Sequence, residues 1–233
     1  MKLRLKSKFP FRDRDQAARM LCEKLFSFRG MNPLVLGLSP AAVPMACLIA
    51  RYLKGEADVL LLEKMASPEN PNFALGALTE WGTFTFVPGC SQMWFPPHLL
   101  EDEKRRISHS LQERRKLYTP EKGPLSPANR IVILVNDTAK TGLTPLAAYQ
   151  AVDGGHPAQV LVAVPAVSAA SLELLQRETE EVFSLWKGEN WTTSTEIFEI
   201  NPKLDEESAS LFLHPLDPEM CISRGRITSF PVS

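Results

Sequence analysis

Between positions 131 and 144 an apolar run, Ile131–Val135, stops at Asn136-Asp137 and is followed by Thr138, Ala139, Lys140, Thr141, Gly142, Leu143 and Thr144. These residue types, in this order, can grip a phosphorylated sugar. Backbone N–H groups at a helix start, with the Thr141 and Thr144 hydroxyls, can surround a phosphate. A carboxylate just upstream, Asp137, can accept from sugar hydroxyls or hold a hydrated Mg²⁺. A parallel α/β sheet presents such a site at the carboxyl end of a strand. Several nucleotide-binding folds share this outline, and Asp and Thr also serve as local caps in a plain strand-to-helix turn.

Positioning such a loop requires a strand before it, a helix after it and neighbouring strands to hold both. The chain supplies them. Residues 12–28 carry Ala17, Met20, Leu21, Leu25 and Phe28 at helical spacing, with Asp13 as N-cap. Residues 34–38 read as a buried strand, followed by a turn at 39–44, a helix to about Tyr52 and a second strand at 58–62. After the 131–135 strand, helix (145–152), strand (159–164), helix (168–178) and strand (181–185) alternate. Long apolar runs rich in β-branched residues and separated by helices predict strands buried on both faces. The expected fold class is a doubly wound α/β domain with a mainly parallel sheet of about five strands.

Residues 63–98 break this rhythm with prolines and short alternating segments at 74–78, 83–87 and 92–94, which predicts a small antiparallel hood beside the main sheet. Its aromatic residues, Trp81, Phe84, Phe86, Trp94 and Phe95, could stack on a base, although a small core or a homodimer contact is the plainer expectation. A charged helix over 101–117 and a polar connection at 119–129 lead back to the sheet. Residues 1–187 form the expected main domain. Residues 188–233, with a short helix near 204–213, are read as a C-terminal appendage.

Net charge and cysteine usage exclude several classes. The 233 residues carry a net charge of −1, which argues against a nucleic-acid partner, since polyanion binding needs a basic excess. The basic runs at 104–106 and 114–116 alternate with acids and read as solvated helix faces. Cys22, Cys47, Cys90 and Cys221 form no C-x-x-C pair, and His98, His109, His156 and His214 have no metal-ligand spacing. No apolar stretch is long enough to cross a bilayer, and the first residues lack the apolar core of a signal peptide. A cytoplasmic protein with reduced, buried thiols at 22 and 47 is expected.

Four segments, in order, resemble the type I phosphoribosyltransferases, and in particular a bacterial subfamily of similar length. Phe11-Arg12-Asp13-Arg14 with Ala17-Ala18 resembles F-x-D-R-x-x-A-[AG]. Val35-Leu36-Gly37-Leu38 with Val43-Pro44-Met45-Ala46 resembles V-L-G-L-P-R-G-G-V-P-V-A. Lys64, Pro68, Asn70-Pro71 and Ala74-Leu75-Gly76-Ala77 resemble K-x-x-x-P-x-N-P-E-x-A-I-G-A. Leu134-Val135-Asn136-Asp137 with Thr141-Gly142-Leu143-Thr144 resembles L-V-D-D-G-x-x-T-G-x-T, and Arg114-Arg115 through Tyr118 fits R-R-x-x-Y.

The resemblance implies phosphoribosyl pyrophosphate with Mg²⁺ as substrate and cofactor, and displacement at the ribose anomeric carbon. By the same implication, Asn136 and Asp137 face the ribose hydroxyls, with Asp137 reaching the metal through ribose or water. Thr138, Ala139, Lys140, Thr141, Gly142, Leu143 and Thr144 hold the 5′-phosphate. Ser39, Ala41 and Ala42 face the pyrophosphate, and Lys64 approaches it as a catalytic cation; Lys64 reads equally well as a solvated lysine after a strand. By residue type alone, Ser39 reads as a helix cap ahead of Pro40.

The chain departs from the pattern at chemically important positions. Asn136 replaces the first of two acids, Ser39-Pro40-Ala41-Ala42 replaces Pro-Arg-Gly-Gly, Asn72 stands where glutamate is usual, and Lys140 sits where the 6-oxopurine branch has an acid. Two functions stay open at this point. One is a phosphoribosyltransferase of unknown acceptor. The other is a catalytically weakened relative that binds a ribose phosphate or nucleotide as a regulatory or interaction module.

Overall fold

Successive strand residues point to opposite faces, so a strand apolar at every position needs a layer of helices on each side. The computed structural model of the chain, which describes residues 9–66, 74–88, 97–120, 123–189 and 191–213, has this arrangement. The parallel strands are β1 (Leu34–Gly37), β2 (Glu56–Val59), β6 (Ile131–Val135), β8 (Gln159–Val167) and β9 (Glu181–Lys187), in the order β2-β1-β6-β8-β9. Val35, Ile133, Val135, Leu161 and Ala163 join one buried cluster with helices α1 (Arg14–Lys24) and α2 (Val43–Leu53). Leu34, Leu36, Val132, Leu134, Val160, Val162 and Val164 join another with α4 (Leu143–Asp153) and α5 (Ala169–Glu178).

The sheet therefore has the expected class and approximate strand number, with one addition. Thr138–Ala139 forms a two-residue strand, β7, paired in parallel with Ala166 and Val167. Because β9 occupies the other edge of those residues, β7 prolongs the line of β6. The expected strand over 58–62 is also corrected. β2 ends at Val59, and Leu62 opens β3 (Leu62–Ala66) in a different sheet. Between them the Leu60 N–H donates to Gly37 O (3.0 Å) and the Leu61 N–H to Glu80 Oε1 (2.8 Å), so the apolar run turns from one sheet into the other without losing its bonds.

The hood is a three-stranded antiparallel sheet of β3, β4 (Ala74–Thr79) and β5 (Phe84–Phe86). Its Ala77 packs on Leu143 and Ala147 of α4. The Thr85 hydroxyl donates to Gln150 Oε1 of that helix at 2.7 Å. Phe84 and Phe86 meet edge to face at 4.8 Å, and Trp81 packs against the α4–α5 side of the core. The expected segment 92–94, with Trp94 and Phe95, lies outside the described residues.

Helix α3 (Pro97–Tyr118) packs on the hood strands β3 and β4 and is tied to the end of β2 by Arg115. This buried guanidinium donates to Asp58 Oδ1 (2.9 Å), to Val59 O (2.6 Å) and to both oxygens of Glu80. Burial works against its charge, but Glu80 and Asp58 outweigh it and hold the guanidinium above its ordinary basicity.

Helix α1 starts where the sequence predicts, with Asp13 Oδ1 accepting from the Gln16 N–H at 2.7 Å. It stops earlier than expected, at Lys24, and passes into a 3₁₀ turn, Phe26–Phe28. Beyond β9 the chain returns to α1: Trp191, Ile197 and Phe198 are buried in the same cluster as Leu21, and Phe198 bridges Phe11. A short helix, α6 (Glu206–Ser210), then packs on α3. Cys22 and Cys47 are buried, and burial pushes both thiols up to about 12. No helix among the described residues is long and apolar enough to cross a membrane.

Candidate functional site

The carboxyl ends of β1 and β6 lie side by side, with Gly37 opposite Val135 and the Leu38 N–H donating to Val135 O at 2.9 Å. The chain leaves β1 through α2 toward β2 and later returns on β1's other side as β6, so the strand order reverses between them. Open α/β sheets bind ligands at such a reversal, beyond the carboxyl ends of the strands. Both candidate loops, 39–42 and 136–144, begin there.

The 138–144 loop is held from below and behind. The Ser168 N–H donates to Ala139 O (3.1 Å) and the Ser168 hydroxyl to Lys140 O (2.7 Å). Gly142, the N-cap of α4, has φ +73°, and a Cβ there would stand 2.9 Å from Ser171 Oγ. Only glycine meets both demands. The backbone N–H groups of Lys140, Thr141, Gly142, Leu143 and Thr144 find no acceptor among the described residues, while the first return bond of α4 runs from the Leu146 N–H to Gly142 O. Five free donors at the positive end of an eleven-residue helix make an anion cradle.

The predicted residues do not all serve the loop with their side chains. Thr141 and Lys140 are exposed, and Thr138 and Thr144 half-buried, so these can reach a ligand. Ala139 and Leu143 are core residues at 3% and 4% exposure and can offer only backbone. Asn136 turns its amide into the loop, where Nδ2 donates to Thr138 O at 2.9 Å. Its Oδ1 has no partner among the described residues and is not sealed from solvent. An aspartate there could not make the amide bond, which gives Asn136 a local structural reason.

The other loop differs from expectation. Ser39 is not the helix cap: its Oγ and O both accept from the Ala42 N–H (3.2 and 2.9 Å), forming a turn, and Ala42 is the residue preceding α2. The Ala42 side chain is fully buried in the α1–α2 core, leaving Ser39 and Ala41 as the partly exposed positions. Lys64 lies on β3 of the hood and is exposed. Its neighbour Glu63 bonds the Ser110 hydroxyl on α3, and Met65 packs against the same helix. Strand alternation therefore puts Lys64 on the opposite face, with Leu62, which packs toward α4.

One site residue carries no role in the sequence reading. Arg14, the first residue of α1, donates to Asp137 Oδ2 from Nε (3.1 Å) and Nη2 (2.8 Å). Its guanidinium lies over the Phe198 ring, with Cζ 4.9 Å from the centroid. The F-x-D-R segment contains it, but nothing local links position 14 to position 137. Nearby, the exposed Glu196 carboxyl is held below the usual carboxylate range by the Thr192 hydroxyl and the Thr192 and Thr193 N–H groups, with the Lys140 charge adding to the effect.

Among the described residues no group of three or more His, Cys, Asp or Glu could hold a metal ion. His98, His109 and His156 are exposed, and His214, Cys90 and Cys221 lie outside the described residues.

No protein-family model matches the chain. Two Mycobacterium tuberculosis proteins, from strains H37Rv and CDC 1551 and each named "Putative phosphoribosyl transferase", are 30% identical over 159 residues, 66% of this chain and 35% of theirs. The chain thus spans about a third of the length of these curated relatives. The crystal structure of TT1426 from Thermus thermophilus is 32% identical, covers 88% of this chain and 98% of that one, and superposes with a TM-score of 0.77. Motif order, sheet reversal and near full-length likeness agree: this chain belongs to the type I phosphoribosyltransferase-like family.

Proposed function

We propose that the chain binds a phosphorylated ribose through the β6–α4 loop and is a phosphoribosyltransferase, taking phosphoribosyl pyrophosphate and transferring its phosphoribosyl group to an acceptor. The carrying observation is the row of unbonded N–H groups at 140–144 beside Asp137, at the reversal of the sheet. The 5-phosphate accepts from these groups and from the Thr141 and Thr144 hydroxyls. Asp137 Oδ1, which has no partner among the described residues, accepts from a ribose hydroxyl. Ser39 and Ala41 border the pyrophosphate, and Lys64 on the inner face of the hood approaches it.

The donor set fits Mg²⁺ only as a cation that arrives with its ligand. A protein-held Mg²⁺ needs near-octahedral oxygen ligands, and Asp137 offers one free carboxylate oxygen. When bound, the metal neutralises the departing pyrophosphate, and Asp137 would meet it through water or ribose. The protein's share of the chemistry is positioning and charge: it holds the ribose by Asp137 Oδ1 and a phosphate cradle while the anomeric carbon develops positive character.

A second reading, binding without turnover, is favoured by the neutral Asn136 on the ribose side and by Pro40, Ala41 and the buried Ala42, which leave the pyrophosphate side without the arginine and glycines of the family pattern. Calorimetric titration with phosphoribosyl pyrophosphate, with and without Mg²⁺, followed by assay of pyrophosphate release over a panel of nucleobases and amines, tests both. Release with any acceptor supports the transferase. Binding without release supports the second reading, and no binding of this ligand or of nucleoside monophosphates overturns both.

A further inference from the structure

Asp137 is the only acid of the ribose-phosphate loop, and its two oxygens have different fates. Oδ2 receives two Arg14 N–H groups, at 3.1 and 2.8 Å. Oδ1 receives nothing from the described residues and is not sealed from solvent. The pair is largely enclosed, with side-chain exposures of 13% for Arg14 and 12% for Asp137. Arg14 is itself fixed on its other sides: its Cζ lies over the Phe198 ring, 4.9 Å from the centroid, and Nη1 reaches Pro202 O at 3.4 Å. Phe198 in turn rests on Phe11, at 5.9 Å between ring centroids.

Resting on the ribose-phosphate reading above, we propose that Arg14 is a positioning residue of this site. It holds Asp137 with Oδ1 presented to ligand hydroxyls and cancels the carboxylate charge beside the phosphate loop. Two features go beyond a mere tie between α1 and β6. Both arginine donors converge on a single oxygen, which leaves the other one fixed in direction and free. A bare carboxylate a few residues from the cradle would also repel a phosphate dianion. With Asp137 compensated and Asn136 neutral, the exposed Lys140 is left as the net charge of the loop, and it is positive. Arginine suits this task because its planar fork can bond one oxygen twice while stacking on an aromatic ring; an ammonium cannot do both.

The test uses the full chain with two probes, ribose 5-phosphate and inorganic phosphate, titrated calorimetrically into wild type, R14Q, R14K and R14Q/D137N, each checked for a cooperative melt. Wild type is expected to prefer ribose 5-phosphate. R14Q should lose roughly tenfold or more in affinity for it, and the preference over inorganic phosphate should shrink toward one. R14K should recover part of the preference. R14Q/D137N should recover inorganic phosphate binding, because the stranded charge is gone, but not the preference. A purely structural Arg14 would lower melting temperature and leave the preference intact; a folded R14Q with unchanged preference overturns the proposal. If R14Q does not fold, R14K decides on the same criterion. Wild type that binds neither probe instead overturns the ribose-phosphate reading on which the proposal stands.

Discussion

At the residue scale the site depends on backbone conformation more than on reactive side chains. Gly142→Ala should destabilise the fold by about 1–3 kcal/mol, since the alanine must hold a positive φ and its Cβ meets Ser171 Oγ at 2.9 Å. Chemical denaturation measures this, and a change under a few tenths would mean the loop relaxes freely. Thr141→Ala with Thr144→Ala removes two hydroxyls and no core contact. Phosphate affinity should fall about a hundredfold or more while the melting temperature holds, because hydrogen bonds to a charged group contribute about 1.5–3 kcal/mol each. Unchanged affinity in a folded double variant would place the phosphate elsewhere.

This is also the scale at which the sequence was least complete. Asp137, Thr141, Gly142 and Thr144 were legible because they sit in one stretch whose spacing has a local meaning. Arg14 was not, because its partner is 123 residues away and no periodicity encodes that pairing. Ala42 and Leu143 read as ligand-facing by motif, yet their apolar side chains went where burial takes them, into the core.

At the element scale, strand and helix order was readable from apolar runs and their periods, whereas boundaries depended on tertiary bonds. The run at 58–62 shows no break in sequence; Gly37 O and Glu80 split it by capturing successive N–H groups. β7 was invisible for a similar reason, since two residues become a strand only against Ala166 and Val167. The end of β2 is tied to α3 by Arg115. Arg115→Ala leaves Asp58 and Glu80 as unpaired buried acids and should cost about 3–5 kcal/mol, detaching α3 and the hood. Calorimetric melting reads the loss. A mild effect of Arg115→Ala would contradict the role assigned to the cluster.

At the scale of the whole molecule, the sequence boundary drawn at residue 187 meets a core that continues past it. Trp191, Ile197 and Phe198 fill the α1–α2 side of the sheet. Truncating large buried side chains costs about 2–5 kcal/mol each, against a typical net stability of about 5–15 kcal/mol. A chain ending at Lys187 should therefore show no cooperative melt, and a folded, stable truncate would mean these residues are dispensable. The buried thiols give a second test. Their folded values, near 12, lie above the ordinary thiol range, so the unfolded chain loses these protons first as pH rises. Stability from Cys22 and Cys47 is full below about pH 9 and declines from there toward pH 12. Replacing both with alanine should flatten that part of the pH–stability curve, and alkylation of either thiol should require unfolding.

The contact of Arg14 with Pro202 joins residues 188 positions apart, across almost the entire described chain. A ribosome delivers α1 long before the 197–202 stretch. The parallel strands are all synthesised before that stretch exists, but neither the buried cluster that Trp191, Ile197 and Phe198 complete nor the aromatic seat of Arg14 is. Translation therefore imposes an order of its own: the strands are delivered early, and both their α1–α2 core and the residue that aims Asp137 are locked only once residues 197–202 have been synthesised.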